Sequence, residues 1–451
     1  MLKFPEPVVS LIRTLNRAGY EAYAVGGCVR DALLGLTPND WDLTTSATPE
    51  QIEACFRTSR VIETGMKHGT VTVMKSGVPY EITTYRKDGA YTDHRRPDTV
   101  AFVNDLSEDL KRRDFTVNAM ACHPDTGIVD LFGGQDDLKA GVIRCVGNPE
   151  HRFTEDALRI LRAVRFASVY DFEIDRDTAG AALRLAPTLE NVSPERIFVE
   201  IKKLLCGKGV SRILTEYPKI LFTVFPELKP MYGFPQNNPH HAYDVWTHTV
   251  KTVENAPATP VYRLTMLFHD AGKPSVRTVG EDGFDHFKTH PSVSRRIAEE
   301  ALLRMKSDRA TIQQVTSLIQ EHDLRIPAAP VNVKRQMVRI GSELFESLFP
   351  VFRADLRGQN PERIPEKEKA VDELETVFRS VVDENACVRV SDLSVNGKDM
   401  TALGAKGQEV GVLLKTLLDK VVSEEIPNAR DALLESAQNI LANFRRESAP
   451  E

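Results

Sequence analysis

The apolar positions of this 451-residue chain change rhythm once. Between about Glu21 and Gly134, the runs EAYAVGG, GTVTVM, PYEITTYR and TVAFV are β-rich and are separated by stretches of helical spacing. Such runs read as strands, so this part predicts a head that mixes strands and helices. From Phe153 onward the spacing is helical almost to the end and is punctuated by proline rather than by alternation. The fold class is therefore α+β: a head with a mixed β-sheet, followed by a largely helical remainder. A Pro- and Asn-rich connector, Phe225 to Asp244, and a charged segment twice interrupted by Pro, Arg357 to Ala370, divide that remainder. The division expected is a head at 1–140, a helical neck at 141–230, a helical domain at 240–356 and a helical tail at 357–451. No repeat of fixed period and no low-complexity tail is visible.

Composition narrows the picture. A hydrophobic share of 41% and a charged share of 27%, with no run long enough to cross a bilayer, argue for a soluble protein without a membrane role. The first residues lack a basic start followed by an uninterrupted apolar run, so the expected compartment is the cytoplasm. The six cysteines, Cys28, Cys55, Cys122, Cys145, Cys206 and Cys387, form no Cys-x-x-Cys pair and read as free thiols. A net charge of −6 means that any nucleic-acid partner must meet local basic patches rather than a basic molecule.

The stretch GGCVRDALLGLTPNDWDLTT, Gly26 to Thr45, sets Asp40 and Asp42 one residue apart behind a glycine pair. On a strand, residues i and i+2 share a face, so the two carboxylates project together while Trp41 turns away. Paired carboxylates suit Mg²⁺, and two-metal sites clamp the attacking and leaving oxygens of phosphoryl transfer. Gly26 and Gly27 let backbone N–H groups approach a triphosphate, a helix starting near Val29 aims its N-terminus there, and Arg30 adds a permanent cation. Two acids alone are usually solvated surface; the order strand, Gly-Gly, Arg-Asp, helix, Asp-x-Asp is far more specific. That order resembles the polymerase-β superfamily of nucleotidyltransferases, and more closely the class II tRNA nucleotidyltransferases, or CCA-adding enzymes, and the bacterial poly(A) polymerases. The head is accordingly expected to be polymerase-β-like.

The resemblance continues along the chain. EDLKRRDFTVNAM, Glu108 to Met120, matches the family's second motif, which implies that Arg113, Asp114 and Asn118 contact ribose and phosphates. EDALRILRAVRF, Glu155 to Phe166, matches the nucleotide-selecting motif. There Asp156 and Arg159 are i, i+3 neighbours on a predicted helix, joined in one sector by Arg162 and less closely by Arg165. A carboxylate beside a guanidinium presents a hydrogen-bonding edge to a base and can play the part of a template; a surface ladder of ion pairs is the plainer alternative. SPERIFVEIKKLL, Ser193 to Leu205, resembles the helix that braces this template, with Ser193 as N-cap, Pro194 in the first turn, and Glu195 and Arg196 as its charged members. Glu81, on a predicted strand, is the candidate third acid. The segment Thr64 to Met74 follows the form seen in CCA-adding enzymes, and the full-length loop Arg86 to Phe102 favours completion of the end with A, which an A-only enzyme would also retain.

A second constellation lies in the helical part. His248, the adjacent His269 and Asp270 in an apolar helix, and Asp355 on a later helix follow an order that resembles the HD metal-dependent phosphohydrolase domain. Adjacent His and Asp on a buried helix need partners, since unpaired burial costs a few kcal/mol. Imidazole and carboxylate suit Mn²⁺, Ni²⁺, Fe²⁺ or Mg²⁺. His290, His322 and Asp323 match accessory positions of many HD domains; a degenerate HD scaffold with merely hydrogen-bonded histidines is the alternative. The stretch from Val390 to Ala437 resembles the C-terminal helical domain of bacterial CCA-adding enzymes, and the likeness extends to Lys398, Lys406, Lys415 and Lys420 as phosphate contacts.

The resemblance thus implies an Mg²⁺-dependent transfer of CMP, CMP and AMP from CTP and ATP to the 3′ end of tRNA, contacting the acceptor arm, with a second divalent metal in the HD domain. Rival readings are an A-adding enzyme, a poly(A) polymerase, an HD phosphohydrolase with an inert head, and a non-catalytic tRNA-binding scaffold.

Overall fold

The computed structural model describes residues 2–62, 65–66, 69–89 and 100–447. Parts of the Thr64–Met74 segment and of the Arg86–Phe102 loop, which carry the distinction among nucleotidyltransferases, lie outside the described residues. The chain packs as two units: residues up to Lys229 together with Ala301–Ser307, and Pro230–Glu300 together with Asp308 onward. Head and neck fall in the first unit, and the segments expected to form the HD domain and tail fall almost wholly in the second.

The strands of the head are β1 (Ala22–Val25), β2 (Leu43–Thr45), β3 (Val61–Ile62), β4 (Thr70–Lys75), β5 (Val78–Thr84), β6 (Arg86–Asp88), β7 (Val100–Phe102), β8 (Met120–His123) and β9 (Gly127–Asp130). Seven of them form one mixed sheet in the order β3-β4-β5-β2-β1-β8-β9, while β6 and β7 pair as a separate ribbon. Within the sheet, β2 and β5 run parallel with Leu43 opposite Ile82, and β1 is antiparallel to both β2 and β8. The expected mixed sheet of the head is therefore present. Pro5 and Pro7 start the helix Glu6–Arg17, where a first-turn proline forfeits no hydrogen bond. That helix buries Val8, Leu11, Ile12 and Leu15, one stripe at helical spacing, and packs against β1.

In the neck, the helix Leu158–Tyr170 packs along Pro194–Leu205. Ser193 occupies the N-cap position of the latter, but its side chain makes no capping bond; Pro194 stands in the first turn as expected.

The second unit is built from helices, with one short hairpin, Thr278–Val279 against Asp285–His286, that helical spacing does not announce. Val245–Asn255 packs on Pro260–Phe268 and on Ser342–Arg357, and Pro260–Phe268 packs on Arg309–Glu321. Asp244 caps the first of these through the Thr247 N–H at 2.6 Å, and Asp308 caps Arg309–Glu321 through the Thr311 N–H at 2.8 Å. The last helices close over their own core, which includes Met400, Leu413, Leu417, Leu433 and Ala437. Among the described residues, no helix is long and apolar enough to cross a membrane.

Candidate active site

Asp40 and Asp42 do not lie in a strand: they sit in the extended segment just ahead of β2, which starts at Leu43. The Asp42 carbonyl still accepts the Val25 N–H at 3.0 Å, so the ladder to β1 runs one step past the strand and keeps the alternation. Trp41 is accordingly buried, its ring 5.2 Å from that of Phe4, while Asp40 and Asp42 face outward. The register of β2 on β5 sets Asp42 one step from Leu43 and Glu81 one step from Ile82, side by side. Though Asp42 is exposed as a residue, its carboxyl loses hydration among the neighbouring groups; that desolvation, then the charges of Asp40 and Glu81, raise it to about 6, with Arg113 pulling the other way. The three carboxylates thus share one electrostatic neighbourhood, and their oxygen chemistry is the kind that suits a hard divalent cation.

The glycine turn lies alongside. Gly26 has φ +79°, and the helix that follows begins at Gly27, two residues ahead of the expected Val29. A Cβ on Gly26 would stand 2.8 Å from Arg113 Nη1, so the absence of a side chain is what lets that guanidinium close on the turn. Arg30, expected to be open to phosphates, is instead buried. It is bonded to Asp31 and to the Asn118 side-chain oxygen, and lies 4.9 Å from the ring centres of both Phe166 and Tyr170. Its place is that of a brace for Asn118.

Asp114 is the hub of the second motif. One oxygen accepts the Phe115 N–H at 2.9 Å and the Asn118 amide at 3.1 Å; the other accepts Arg162 Nε at 2.7 Å. Burial would push this carboxyl up, but Arg162, Asn118 and Arg159 together hold it well below the usual carboxylate range. Asp109 belongs to the same motif, and sequence reasoning missed it. Fully buried, it accepts Arg112 at 2.8 and 3.0 Å and Thr44 Oγ1 at 3.2 Å, with Arg113 Nη2 at 3.5 Å. Its i, i+3 and i, i+4 spacing to the two arginines is the signal that could have found it.

The selecting motif departs from the expected helix. Asp156 falls in a break between helices Pro149–Glu155 and Leu158–Tyr170, with extended backbone at φ −141° and ψ 105°. From there Oδ1 accepts the Leu158 N–H at 3.0 Å and Oδ2 accepts Arg196 Nη2 at 2.9 Å. Arg159 pairs with Glu155 and donates to the Arg112 carbonyl at 3.0 Å. Asp156 and Arg159 are thus each held by other partners. A carboxylate that terminates the first turn of a helix is better used outside it, which i, i+3 counting does not reveal. Arg162 and Arg165 do lie on the helix, and Arg165 pairs with the buried Glu200 and covers the Phe166 ring at 3.7 Å. Glu195 pairs with Lys306 at 2.6 Å.

In the second unit, His248 lies on the helix Val245–Asn255, and Asp355 on Ser342–Arg357. His269 and Asp270 sit in the turn ending Pro260–Phe268 rather than in mid-helix, because the chain must turn for both side chains to face one point. His248 Nε2 is 3.1 Å from His269 Nε2, 3.2 Å from Asp270 Oδ2 and 3.1 Å from Asp355 Oδ1. Burial alone would depress His269, yet Asp270 and Asp355 lift it to about 10; the same two carboxylates raise His248. This is a place that calls for positive charge. His290 and His322 are buried nearby, whereas Asp323 is half exposed, 3.7 Å from Arg325. The cluster opens on a cavity of about 500 Å³ whose wall includes Phe287, Phe352, Lys273, Arg325 and Lys367. No local sequence pattern marks these five as site residues.

The head has the polymerase-β-like fold, and its family likeness is to poly(A) polymerase heads. Residues 22–144 match the family described as poly A polymerase head domain, 171–231 the probable RNA and SrmB-binding site of polymerase A, and 286–437 tRNA nucleotidyltransferase domain 2. The chain is similar to the CCA-adding enzyme of Ligilactobacillus salivarius, 46% identical over 245 residues covering 52% of this chain and 60% of that one. The CCA-adding enzyme of Leuconostoc mesenteroides is 51% identical over 204 residues, 45% of this chain and 50% of its own. The chain thus spans about half the length of the curated relatives it matches. Among solved structures, Bacillus stearothermophilus CCA-adding enzyme in complex with CTP superposes with a TM-score of 0.70 at 28% identity, covering 98% of this chain and 100% of that one. Thermotoga maritima CCA-adding enzyme complexed with tRNA shares the fold, with a TM-score of 0.58 at 21% identity over 96% and 94% of the two chains. The segment carrying His248, His269 and Asp270 lies outside the three matched ranges.

Proposed function

We propose that the chain is a CCA-adding tRNA nucleotidyltransferase, transferring CMP and AMP from CTP and ATP to the 3′ end of tRNA. The observation that carries this reading is the Asp40, Asp42 and Glu81 cluster beside the Gly26 turn and Arg113, in a chain similar to CCA-adding enzymes over the same head. Asp40 and Asp42 would hold Mg²⁺, with Glu81 as third acid; the ion supplies Lewis-acid stabilisation of charge developing on phosphate oxygens. Gly27, half-buried at the start of its helix, would offer its backbone to the triphosphate beside the Gly26 turn, and Arg113 brings positive charge over that turn. Asp114, Asn118 and Arg162 form one bonded set for sugar and phosphate, braced by Arg30. Asp156 and Arg159 read the base, with Arg196 and Glu155 fixing their side chains and Arg165 tying the motif to Glu200.

The test is a time course on tRNA ending before CCA, supplied with CTP alone, ATP alone and both. Full completion only with both nucleotides is expected; a ladder of A residues with CTP ignored is the poly(A) polymerase outcome. Asp40→Ala/Asp42→Ala should lower the rate by about a thousandfold or more, since the cation's place is worth several kcal/mol. Unchanged incorporation in that variant would overturn the assignment.

A second reading concerns the second unit. His248, His269, Asp270 and Asp355 converge within hydrogen-bond distance, which favours a metal-dependent HD phosphohydrolase site for phosphoesters, with Mn²⁺, Ni²⁺, Fe²⁺ or Mg²⁺. Release of phosphate from nucleotide esters by the Asp40→Ala/Asp42→Ala protein, lost on His269→Ala, tests it.

A further inference from the structure

The helix Leu158–Tyr170 carries more than the selecting arginines. Arg162, Phe166 and Tyr170 follow one another at i, i+4 and i+8, so the two rings stand one turn apart, 6.2 Å between centres and 14° from parallel. Arg30 arrives from the helix Gly27–Leu33 and sets its guanidinium carbon 4.9 Å from both ring centres. Arg165 and Arg162 reach the same Phe166 ring, at 3.7 and 5.3 Å. Three cations thus converge on this pair of rings, each with a carboxylate of its own: Asp31 for Arg30, Asp114 for Arg162 and Glu200 for Arg165. The negative face of an aromatic ring offsets part of the repulsion that remains among the like charges.

Tyr170 adds a second tie. Its hydroxyl donates to Asp31 Oδ1 at 2.8 Å, the oxygen that also accepts Arg30 Nε at 2.9 Å and Nη2 at 2.8 Å. Burial first, then the bond to Asp31, outweigh the nearby Arg30 and push the phenol up to about 12, so it stays a donor. With Nε and Nη2 committed to Asp31, Nη1 of the planar fork is left to the Asn118 side-chain oxygen. That bond decides how Asn118 stands. Arg30 can only donate and ionised Asp114 can only accept, so the amide has one orientation: oxygen to Arg30, nitrogen to Asp114 at 3.1 Å. One amide hydrogen meets Asp114, and the other is what Asn118 can offer to a ligand oxygen. A site that hydrogen-bonds a substrate hydroxyl rejects the analogue lacking it. From this we infer that Tyr170 and Phe166 are positioning residues of the nucleotide site: through Asp31 and Arg30 they fix the amide of Asn118, and with it the choice of ribose over deoxyribose. All of these residues belong to the first unit.

The inference rests on the reading of the head as a nucleotidyltransferase in which Asp114 and Asn118 meet the sugar, and the experiment separates the two. Tyr170, half-buried at the helix end, can be changed without opening the core, whereas Phe166 is buried. Full-length parent, Tyr170→Phe and Tyr170→Leu proteins are given tRNA ending before CCA, and kcat/KM is measured for CTP, dCTP and UTP. In Tyr170→Leu, which removes ring and hydroxyl together, the CTP-to-dCTP ratio should fall by about tenfold or more, largely through the KM for CTP. The CTP-to-UTP ratio should stay as in the parent, since Asp156 and Arg159 are held by Arg196 and Glu155. Tyr170→Phe keeps the ring and should lose only about two- to fivefold of the sugar ratio. In an Arg30→Met background, Tyr170→Leu should add nothing further. Loss of folded protein lowers all three rates together and moves neither ratio. A parent that uses dCTP as readily as CTP, a sugar ratio unchanged in both variants, an equal fall in both ratios, or full additivity with Arg30→Met overturns the positioning role while leaving the enzyme. A parent that incorporates neither CTP nor ATP on this tRNA overturns the reading of the head and the inference with it.

Discussion

Asp42 carries a charge its surroundings resist. Partial loss of hydration at the carboxyl, Asp40 and Glu81 raise it from the ordinary 3.8 to about 6. A carboxyl raised on folding takes up its proton as pH falls through about 6, so the ionised group costs stability above that pH and the cost is relieved below it. A divalent cation binds the ionised form, which sets the sign for metal. Apparent Mg²⁺ affinity of the head should be flat above about pH 7 and fall by up to about tenfold per unit below about 6. Calorimetric titration at several pH values checks this, and Asp40→Asn, which removes one raising charge, should move the fall to lower pH. The acids are legible in the sequence because their spacing survives without knowledge of neighbours. Arg30 is not, for the opposite reason: a guanidinium beside glycines looks free until Phe166, Tyr170 and Asn118 arrive from distant segments.

Among the elements, the site is assembled by side chains that tie one motif to another. Asp109 joins Thr44 on β2 to Arg112 and Arg113 on the following turn, and the Arg112 carbonyl accepts Arg159 from the neck. Charge-assisted bonds of this kind are worth about 1.5–3 kcal/mol. Asp109→Asn should therefore raise the nucleotide KM or lower kcat/KM by about 10- to 100-fold. If it acts through Arg113, the same change in an Arg113→Met background should add little; full additivity in that double-mutant cycle would assign Asp109 to structure alone. The break at Asp156 belongs to this level too. Apolar spacing carries one helix across Glu155 to Phe166, whereas the chain interrupts it so that Asp156 accepts the Leu158 N–H at the start of the second segment and meets Arg196. Periodicity registers which face is buried; it does not register where a side chain competes with its own backbone.

For the chain as a whole, a net charge of −6 must be reconciled with the proposed RNA substrate. Lys398, Lys406 and Lys415 are exposed on the tail, and Lys420 bonds Glu425 at 2.9 Å. If they meet phosphates, replacing all four by Ala should weaken tRNA binding and flatten its salt dependence by up to about 0.9 in log Kd per log salt for each phosphate no longer neutralised. Filter binding across a salt series, with cytidine incorporation unchanged at saturating tRNA, measures it. An unchanged slope would make these lysines merely solvated. The packing into two units, with Ala301–Ser307 joining the first, is not legible in the connector at 225–244, since proline and asparagine mark a turn and not which core later residues will complete.

Local pattern carries the strand-rich head, the helical remainder, the acid pair behind glycine and the order of histidines, because periodicity, turn chemistry and residue type act over a few positions. Packing in three dimensions alone settles which of those groups share a partner. It sets Glu81 beside Asp42, closes Asp31, Asn118, Phe166 and Tyr170 around Arg30, and turns Asp270 toward four imidazoles at once. Each of these depends on strand register or helix crossing, which bring residues far apart in the chain to within a few ångströms, and no local pattern reaches that far.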